Sequence, residues 1–321
     1  MSTHTSASGT DTPLAAPPRG SASKKRTARE VAAANRVGWS FVSPSMLLVA
    51  VFFIVPLVLV GIMSASKWTL LKGGSGINFP KNFVRVFEDP LLLDSAIFTL
   101  KYTALTTLIL MPVALLLGLL VQESTKWNNV LRTAILLPSA LGLASTSLLF
   151  YALYSPQVGP LRPLLDFIGF PPDLSVLGTA TSALWATVFL VVWRFAGYYM
   201  LLNLVGLQSI PVDLYEAAKI DGAGIWQQFT HITLPLLRPT IAMTMILSIT
   251  GSLLAFDQFY ILTKGGPNNS TVTVVQLIYK YAFETKKDLG MAAALSVLVL
   301  VALVIVNFLQ LKAMGLNRDE D

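Results

Sequence analysis

Six long apolar stretches, each free or nearly free of charged residues, dominate this sequence. They lie at about 41–64, 96–121, 130–153, 182–207, 239–262 and 289–311. Because about 20 consecutive apolar residues span the hydrocarbon core of a bilayer as an α-helix, each stretch is long enough to cross a membrane. Only 12% of the residues are charged, against about 25% in soluble domains. We therefore predict an all-α membrane protein with six transmembrane helices.

The apolar stretches separate a membrane domain, predicted at 39–314, from two polar tails. The first tail, residues 1–38, is rich in Ser, Thr, Ala and Pro and has a basic cluster that includes Lys24, Lys25 and Arg26. Such a composition buries too little apolar surface to offset the entropy of ordering, so we expect disorder. Basic residues ahead of a first span are typical of cytoplasmic retention and of anionic lipid headgroups, rather than of nucleic-acid binding. Residues 315–321 form a short second cytoplasmic tail.

Several kinds of chemistry lack the residues that they require. The chain has no cysteine, so thiolate metal sites have no ligands. Its two histidines, His4 and His231, lie in a polar tail and in a loop, so an intramembrane haem or histidine relay has no ligands either. No Gly-x-x-x-x-Gly-Lys-Ser/Thr loop is present, so the chain has no phosphate-binding loop for ATP. No paired carboxylates or nucleophile elbow lie beside the apolar stretches. We therefore expect no enzymatic activity, no metal site and no cofactor bound by this chain.

A polar segment at 209–238, between the fourth and fifth stretches, has a distinct pattern. Pro211 suits the first turn of a helix, and Asp213 and Glu216 place negative charge near the positive end of the helix dipole. Asp221-Gly222 is a stop signal. The segment is too short and too polar to cross a membrane. The residues alone allow two interpretations: a docking helix for another protein, or an interfacial helix that packs on lipid headgroups.

The same segment resembles the EAA signature of ABC importer permeases, which is Glu-Ala-Ala, three residues, Gly, nine residues, Ile, one residue and Leu-Pro. Every fixed position is matched, by Glu216, Ala217, Ala218, Gly222, Ile232, Leu234 and Pro235. The resemblance implies a type I ABC importer permease fold with both termini cytoplasmic. It also implies a cytoplasmic loop that seats in a cleft of a separate ATPase. The implied ATPase-docking residues are Glu216, Ala217, Ala218, Asp221, Gly222, Leu234 and Pro235.

A second series of residues narrows the resemblance. Phe256-Asp257, Tyr260, Gly265-Gly266-Pro267 and Gly290-Met291-Ala292 resemble the first permease subunit of maltose-type carbohydrate and glycerophosphate importers. This implies a multi-pass protein of a prokaryotic plasma (inner) membrane. Its implied partners are a second homologous permease, an ABC ATPase dimer that binds ATP and magnesium, an extracytoplasmic solute-binding protein and membrane lipids. The chain departs from the enteric maltose permease, because it lacks the extra N-terminal spans and the large outer domain.

Polar and aromatic residues inside the fourth and fifth stretches mark a candidate solute pathway. Ionisable groups at membrane depth usually face a cavity or a partner, and aromatic faces with a few polar groups are the usual wall of a sugar site. The resemblance also implies solute contacts in both regions. The candidate pathway residues are Arg194, Phe195, Tyr198, Ser252, Leu253 and Asp257.

Two of these residues, and the whole chain, have an alternative interpretation. Arg194 can pair with a neighbouring helix for packing, and Asp257 can brace the Gly-Gly-Pro loop. In an ion-coupled secondary transporter the same two charges would couple ions. Such carriers have inverted repeats and broken helices at the bilayer midplane, and the sequence indicates neither. An ABC exporter domain would have longer cytoplasmic helices than these loops allow.

Overall fold

The computed structural model describes residues 28–156, 159, 160, 163, 167 and 175–313, with the backbone alone at 28–38. The chain divides at Pro56 into two compact units. Of the predicted polar tails, residues 1–27 and 315–321 lie outside the described residues. Residues 28–38 have a helical backbone.

The first span begins in the first unit. Helix α1 (Ala28–Val49) is followed by a π-helical segment, Ala50–Ile54, and by helix α2 (Val55–Ser64). The π segment has a local cause, because Pro56 has no N–H to donate to the carbonyl four residues earlier, in the π segment. The helical run Trp39–Ser64 is long and apolar enough to cross a membrane.

A small cap follows the first span. Strands β1 (Ser66–Thr69) and β2 (Gly73–Ile77) form an antiparallel hairpin, and helix α3 (Lys81–Phe87) comes next. The buried amide of Asn82 donates to the carbonyl oxygens of Ser64 and Ser66, at 2.9 and 2.7 Å, and so joins α3 to the start of the hairpin. No other β-hairpin occurs among the described residues.

The second and fourth spans form the central packed pair. Helix α4 (Pro90–Leu120) is capped by Asp89. The third span then consists of α5 (Lys126–Leu136), a 3-10 turn at Leu137–Ala140 and α6 (Leu143–Leu153). Helix α7 (Ala180–Gln208) is the fourth span. Gly118 on α4 faces α7, where an added Cβ would lie at the ordinary contact distance of 3.4–3.6 Å from Leu207, Asn203 and Met200.

The polar segment between the fourth and fifth spans lies at the end of α7. It contains helix α8 (Val212–Ile220), a short helix α9 (Ile225–Gln228), a π-helical turn at Phe229–Thr233 and helix α10 (Leu234–Leu236). The π turn again precedes a proline, Pro235, that lacks the N–H of a regular helix.

The fifth and sixth spans complete the bundle. The fifth contains α11 (Arg238–Leu253) and α12 (Asp257–Leu262), and the sixth is α14 (Leu289–Ala313). Helix α13 (Val274–Tyr279) and a π-helical turn at Lys280–Glu284 connect them. The connection returns to the cap, where Leu70 N–H donates to Lys287 O at 3.0 Å. Ion pairs Arg85–Asp288 and Lys286–Asp89, both at 2.6 Å, close the cap.

The predicted spans are confirmed with one qualification of shape. Within the described residues, five helices are long and apolar enough to cross a membrane, or six if the bent third span counts as one. Two of the spans are interrupted. The third span bends by 92° between Ala140 and Leu143. The fifth leaves helical geometry at 254–256.

Candidate functional site

Helix α8 presents the Glu-Ala-Ala motif to the outside of the subunit. Glu216 is exposed, and its side chain has no hydrogen bond or ion pair with any described residue. Large apolar side chains of the same loop are exposed as well: Ile220 by 86%, Ile225 by 89% and Trp226 by 74%. Exposed large apolar side chains in a loop that also presents an unpaired carboxylate are typical of a protein-docking surface.

Gly222 ends helix α8 in a left-handed turn. Its φ is +80°. Ala223 N–H donates to Ala218 O at 2.8 Å, and Gly222 N–H donates to Lys219 O at 3.1 Å. These are the two hydrogen bonds of a Schellman motif, which requires positive φ at the residue after the cap. The glycine of the EAA signature therefore has a backbone role here.

Side-chain hydrogen bonds make the loop rigid. Tyr215 Oη lies 2.9 Å from Thr233 Oγ1, which joins α8 to the returning π turn. Gln228 Nε2 donates to Ala223 O at 2.8 Å. Gly224 N–H donates to Gln227 Oε1 at 2.9 Å. Leu234 and Pro235, at the end of the loop, are exposed and partly exposed. The arrangement holds α8 in a fixed direction relative to the fifth span.

A cavity of about 280 Å³ lies inside the bundle, between the second, third, fourth and fifth spans. Its wall has an apolar part that includes Leu143 and Val191. Five aromatic rings also line it, from Tyr102, Phe195, Tyr198, Tyr199 and Phe256. The polar side chains in the wall are those of Ser248, Ser252, Asp257 and Gln258. Aromatic faces with a few hydroxyl, amide and carboxylate groups suit a ligand that has both apolar faces and hydroxyl groups.

The break in the fifth span brings polar groups to this cavity. Ala255, inside the break, is stabilised by Thr273, whose hydroxyl donates to its carbonyl at 2.6 Å. Asp257 and Gln258 then begin α12. Gln258 Nε2 donates to Tyr102 Oη at 3.1 Å, and the buried Gln258 Oε1 has no hydrogen-bond partner. Gln258 therefore keeps a buried acceptor that no described residue satisfies.

The Gly-Gly-Pro loop is braced by threonines. Thr271 Oγ1 donates to Gly266 O at 2.7 Å and lies 2.8 Å from Thr263 Oγ1. Gly265 N–H donates to Thr263 Oγ1 at 3.2 Å. Asp257, the alternative brace, makes no hydrogen bond with any described residue of this loop. Asp257 is a residue of the cavity wall.

Arg194 lies beside the cavity, at the bend of the third span. Its Nε donates to Leu141 O at 2.9 Å, and its guanidinium carbon lies 4.1 Å from the centroid of the Phe195 ring. Among the described residues, the cavity wall includes neither Arg194 nor Leu253. The structure thus brings together four of the six predicted pathway residues, Phe195, Tyr198, Ser252 and Asp257.

A family model agrees with this architecture. The model for "Binding-protein-dependent transport system inner membrane component" matches residues 110–312, which is more than half of the chain. This chain belongs to that family. The permease is therefore a multi-pass protein of the inner membrane, as its apolar helices require.

Curated relatives match nearly the whole permease. The lactose transport system permease LacF of Rhizobium radiobacter is 33% identical over 86% of this chain and 93% of its own length. MsmF, a multiple sugar-binding transport system permease of Streptococcus mutans, is 33% identical over 86% and 94%. UgpA, the sn-glycerol-3-phosphate transport system permease of Salmonella typhimurium, is 30% identical over 89% and 96%.

Solved structures share the fold. A chain of a bacterial alginate ABC transporter, crystallised in complex with an alginate pentasaccharide-bound periplasmic protein, has a TM-score of 0.77 at 21% identity. The match covers 89% of the permease and 96% of that chain. A second structure of an alginate importer has a TM-score of 0.71 at 23% identity. The type I ABC importer permease fold is therefore confirmed.

Sequence reasoning missed several cavity residues of the permease. Tyr102, Ser248 and Gln258 lie in the wall, but they are uncharged and therefore gave no anomaly against the apolar background. One signal was present for Gln258, because it directly follows Asp257. Tyr102 and Ser248 become cavity residues only through packing of helices that are distant in sequence. Their spacing along the chain therefore gave no signal.

Proposed function

We propose that this permease forms part of the translocation pathway of an ATP-binding-cassette importer for a carbohydrate. One observation carries the proposal: the same chain presents an exposed, rigid Glu-Ala-Ala helix and encloses an aromatic, hydroxyl-lined cavity. The helix transmits motion from a partner ATPase, and the cavity accommodates the solute. The permease itself makes and breaks no bonds, binds no cofactor and coordinates no metal.

Coupling depends on helix α8 and the turn that ends it. The proposed ATPase-docking residues are Glu216, Ala217, Ala218, Asp221, Gly222, Leu234 and Pro235. ATP and magnesium bind to the partner ATPase dimer, because this chain has no phosphate-binding loop. When the ATPases close on ATP, α8 moves with them. The braced loop then transmits this motion to the fourth and fifth spans, which flank the cavity.

The cavity supports a sugar pathway. We propose that four residues contact solute directly: Phe195, Tyr198, Ser252 and Asp257. Leu253 lies between the wall residues Ser252 and Leu254 but does not line the cavity itself. Aromatic rings stack on the apolar faces of sugar rings, and the polar side chains bind hydroxyl groups. The part of the wall that the described residues form has one carboxylate and no Lys or Arg. This favours a neutral carbohydrate over glycerophosphate, although one relative is named for that ester.

The complete importer requires further chains. We propose a second homologous permease, an ABC ATPase dimer and an extracytoplasmic solute-binding protein, with annular lipids around the spans. The alginate transporter chain with a similar fold was crystallised with its periplasmic protein, which supports a solute-binding protein as a partner. In this assembly α8 and both termini are cytoplasmic, and the cap that contains Asp89 and Asp288 faces the binding protein.

Association and energy source together test the proposal. The permease, co-expressed with its partner permease, is purified and mixed with the soluble ATPase, and uptake is measured in proteoliposomes with the binding protein outside. We expect stoichiometric ATPase binding, and uptake that requires ATP inside and survives dissipation of ion gradients. Uptake driven by an ion gradient without ATP, and no ATPase binding, would establish the ion-coupled carrier instead.

A further inference from the structure

Two reciprocal hydrogen bonds join the middle of the fourth span to the bend of the third. Arg194 Nε donates to Leu141 O at 2.9 Å. In return, Ser139 Oγ donates to Arg194 O at 2.7 Å. Arg194 lies 14 residues from each end of α7, which spans Ala180–Gln208. Both bonds therefore form near the centre of a transmembrane helix.

The bend leaves backbone groups that need partners. Leu141 has an extended backbone, with φ −73° and ψ 140°, between the 3-10 turn and α6. Its carbonyl is therefore not satisfied within a helix. An unpaired carbonyl at membrane depth is costly wherever water does not reach it. The guanidinium of Arg194 supplies the missing donor.

A close backbone approach fixes the same two spans one turn away. A Cβ built on Gly197 would clash with Ile135 O and would lie 2.8 Å from Leu136 Cα. The first arm of the third span thus rests directly on the backbone of α7. The Gly197 contact holds the chain before the bend, and the Arg194 hydrogen bond holds the bend itself. Helix α7 therefore determines the direction in which the chain leaves the bend.

The bend leads straight into the wall of the cavity. Leu143, two residues after Leu141, is a wall residue, and so is Phe195, which directly follows Arg194. The Arg194 guanidinium also lies over the Phe195 ring, at 4.1 Å. A change at the Arg194–Leu141 bond therefore displaces two elements of the wall at once.

We infer that Arg194 is a positioning residue that holds the third span in its bent form and thereby shapes the solute cavity. Its N–H group performs this role, and its charge is not required for solute recognition. The consequence for transport rests on the proposed function. The consequence for the shape of the third span does not.

Substitutions at Arg194 separate the hydrogen bond from the charge. In Arg194→Gln, the amide nitrogen is as many bonds from Cα as the arginine Nε, so the donor is kept and the charge is lost. Arg194→Met keeps the length and removes the donor. Arg194→Lys keeps the charge with a donor one bond further out. Ser139→Ala removes the reciprocal bond.

Lys101→Leu is the matched control, because it removes another cation from a span. Lys101 is exposed on α4 and lies away from the bend.

The first measurement is uptake by the complete reconstituted complex, normalised to assembled complex. We expect the apparent KM in Arg194→Gln to stay within about twofold of wild type. In Arg194→Met it rises roughly tenfold, the scale of one hydrogen bond made by a charged group. A residue that binds solute through its charge gives the opposite order, with Lys active and both Gln and Met impaired. That order would overturn the inference.

The second measurement reports the bend without transport. The chain has no cysteine, so Trp127→Cys and Tyr151→Cys, both at exposed positions on the two arms, accept spin labels specifically. At about 1.5 Å per residue, a right-angled bend puts these backbones roughly 23 Å apart, and a straight helix roughly 36 Å. In the assembled complex, we expect a narrow short distance in wild type, Arg194→Gln and Lys101→Leu. A broader and longer distribution is expected in Arg194→Met.

The two measurements fail in different ways. If Arg194→Met leaves the label distances unchanged, the positioning role is refuted, whatever the transport result. If the distances change as expected but wild-type complex shows no ATP-dependent uptake, the proposed function fails and the positioning role stands. Ser139→Ala should broaden the distances less than Arg194→Met, since Leu141 keeps its donor.

Discussion

The backbone N–H of Ala223 donates a 2.8 Å hydrogen bond to the carbonyl oxygen of Ala218. This bond closes the turn at the end of the Glu-Ala-Ala helix, and it forms only because Gly222 between them has φ +80°. The space around Gly222 is open, since an added Cβ would meet nothing within 4 Å. The requirement for glycine here is therefore conformational and not steric.

Gly222 substitutions should weaken coupling in a graded way. Gly222→Ala strains a left-handed residue by about 1–2 kcal/mol, so we expect ATPase affinity to fall by up to about thirtyfold. Gly222→Pro is more severe, because proline fixes φ near −65° and removes the N–H bonded to Lys219. The measurement is ATPase binding and ATP-dependent uptake.

The matched control for Gly222 is the next glycine in the chain, Gly224. Gly224 has φ −71°, and a Cβ there would lie 4.0 Å from Gln227 Oε1. Gly224→Ala should therefore bind the ATPase and transport as wild type does. Equal behaviour of Gly222→Ala and Gly224→Ala would show that the left-handed turn has no part in docking.

Glu216 should be the sensitive charge of the docking surface. It is exposed and has no partner in the described part of the chain, so its carboxylate is available to basic or amide groups of the ATPase. Truncating one member of a buried interfacial charge pair costs about 2–5 kcal/mol. We expect Glu216→Ala to reduce ATPase affinity at least about thirtyfold, or to uncouple hydrolysis from uptake. Asp213→Asn, on the same helix, is the control, and wild-type transport by Glu216→Ala would refute the docking role.

Tyr198 should affect solute recognition and not assembly. It is exposed on α7 and lines the cavity with Phe195. Loss of an aromatic stacking surface removes about 1 kcal/mol or more of binding. We expect Tyr198→Ala to raise the apparent KM for uptake about fivefold or more, with normal complex yield and ATPase binding. Leu201→Ala, exposed on the same helix and outside the cavity wall, should leave the KM unchanged. A raised KM in both variants would indicate a general disturbance of the helix.

Some features could be predicted from sequence because their causes are local. Apolar length predicts the spans, and α7 at 180–208 lies close to the predicted 182–207. Pro211 and Asp221-Gly222 bound α8 within one residue of its ends. The bend of the third span has a different origin. Pro138 alone is compatible with a nearly straight helix, and the donor that satisfies Leu141 comes from Arg194, 53 residues later.

The cap was missed for a related reason. Its hairpin, β1 and β2, is short, and residues 73–76 have the sequence Gly-Gly-Ser-Gly. Glycine is depleted in strands, so this sequence does not predict one. The hairpin is held by distant residues instead. Thr69 pairs with Asp288, more than 200 residues later. Contacts at such separations come from helix packing, which the pattern of a single segment does not report.

Asp89 joins this cap to the second span and gives it a defined dependence on pH. Its Oδ1 accepts from Leu91 N–H at 2.9 Å, and its Oδ2 accepts from Lys286 Nζ at 2.6 Å. Partial burial by itself raises the pKa of Asp89, but the hydrogen bonds from Lys286 and Leu91 outweigh it and lower the pKa below its ordinary value of 3.8. A carboxyl whose pKa is lowered on folding stabilises the fold above its unfolded pKa, and this contribution is lost as the pH falls through the folded value.

The variant Asp89→Asn isolates the ion pair, since the amide oxygen still caps α4 through Leu91 and only the charge is lost. A partly exposed pair contributes about 1 kcal/mol or less, so we expect Tm to fall by about 1–4 °C at pH 7. The difference from wild type should persist down to about pH 4, and it should vanish at lower pH, where wild-type Asp89 also becomes neutral.

Glu88→Gln is the control, because Glu88 is exposed and forms no ion pair with any described residue. The measurement is thermal unfolding of the purified complex at several pH values. A Tm difference for Asp89→Asn that remains constant down to pH 3 would show that the Asp89–Lys286 pair does not stabilise the cap.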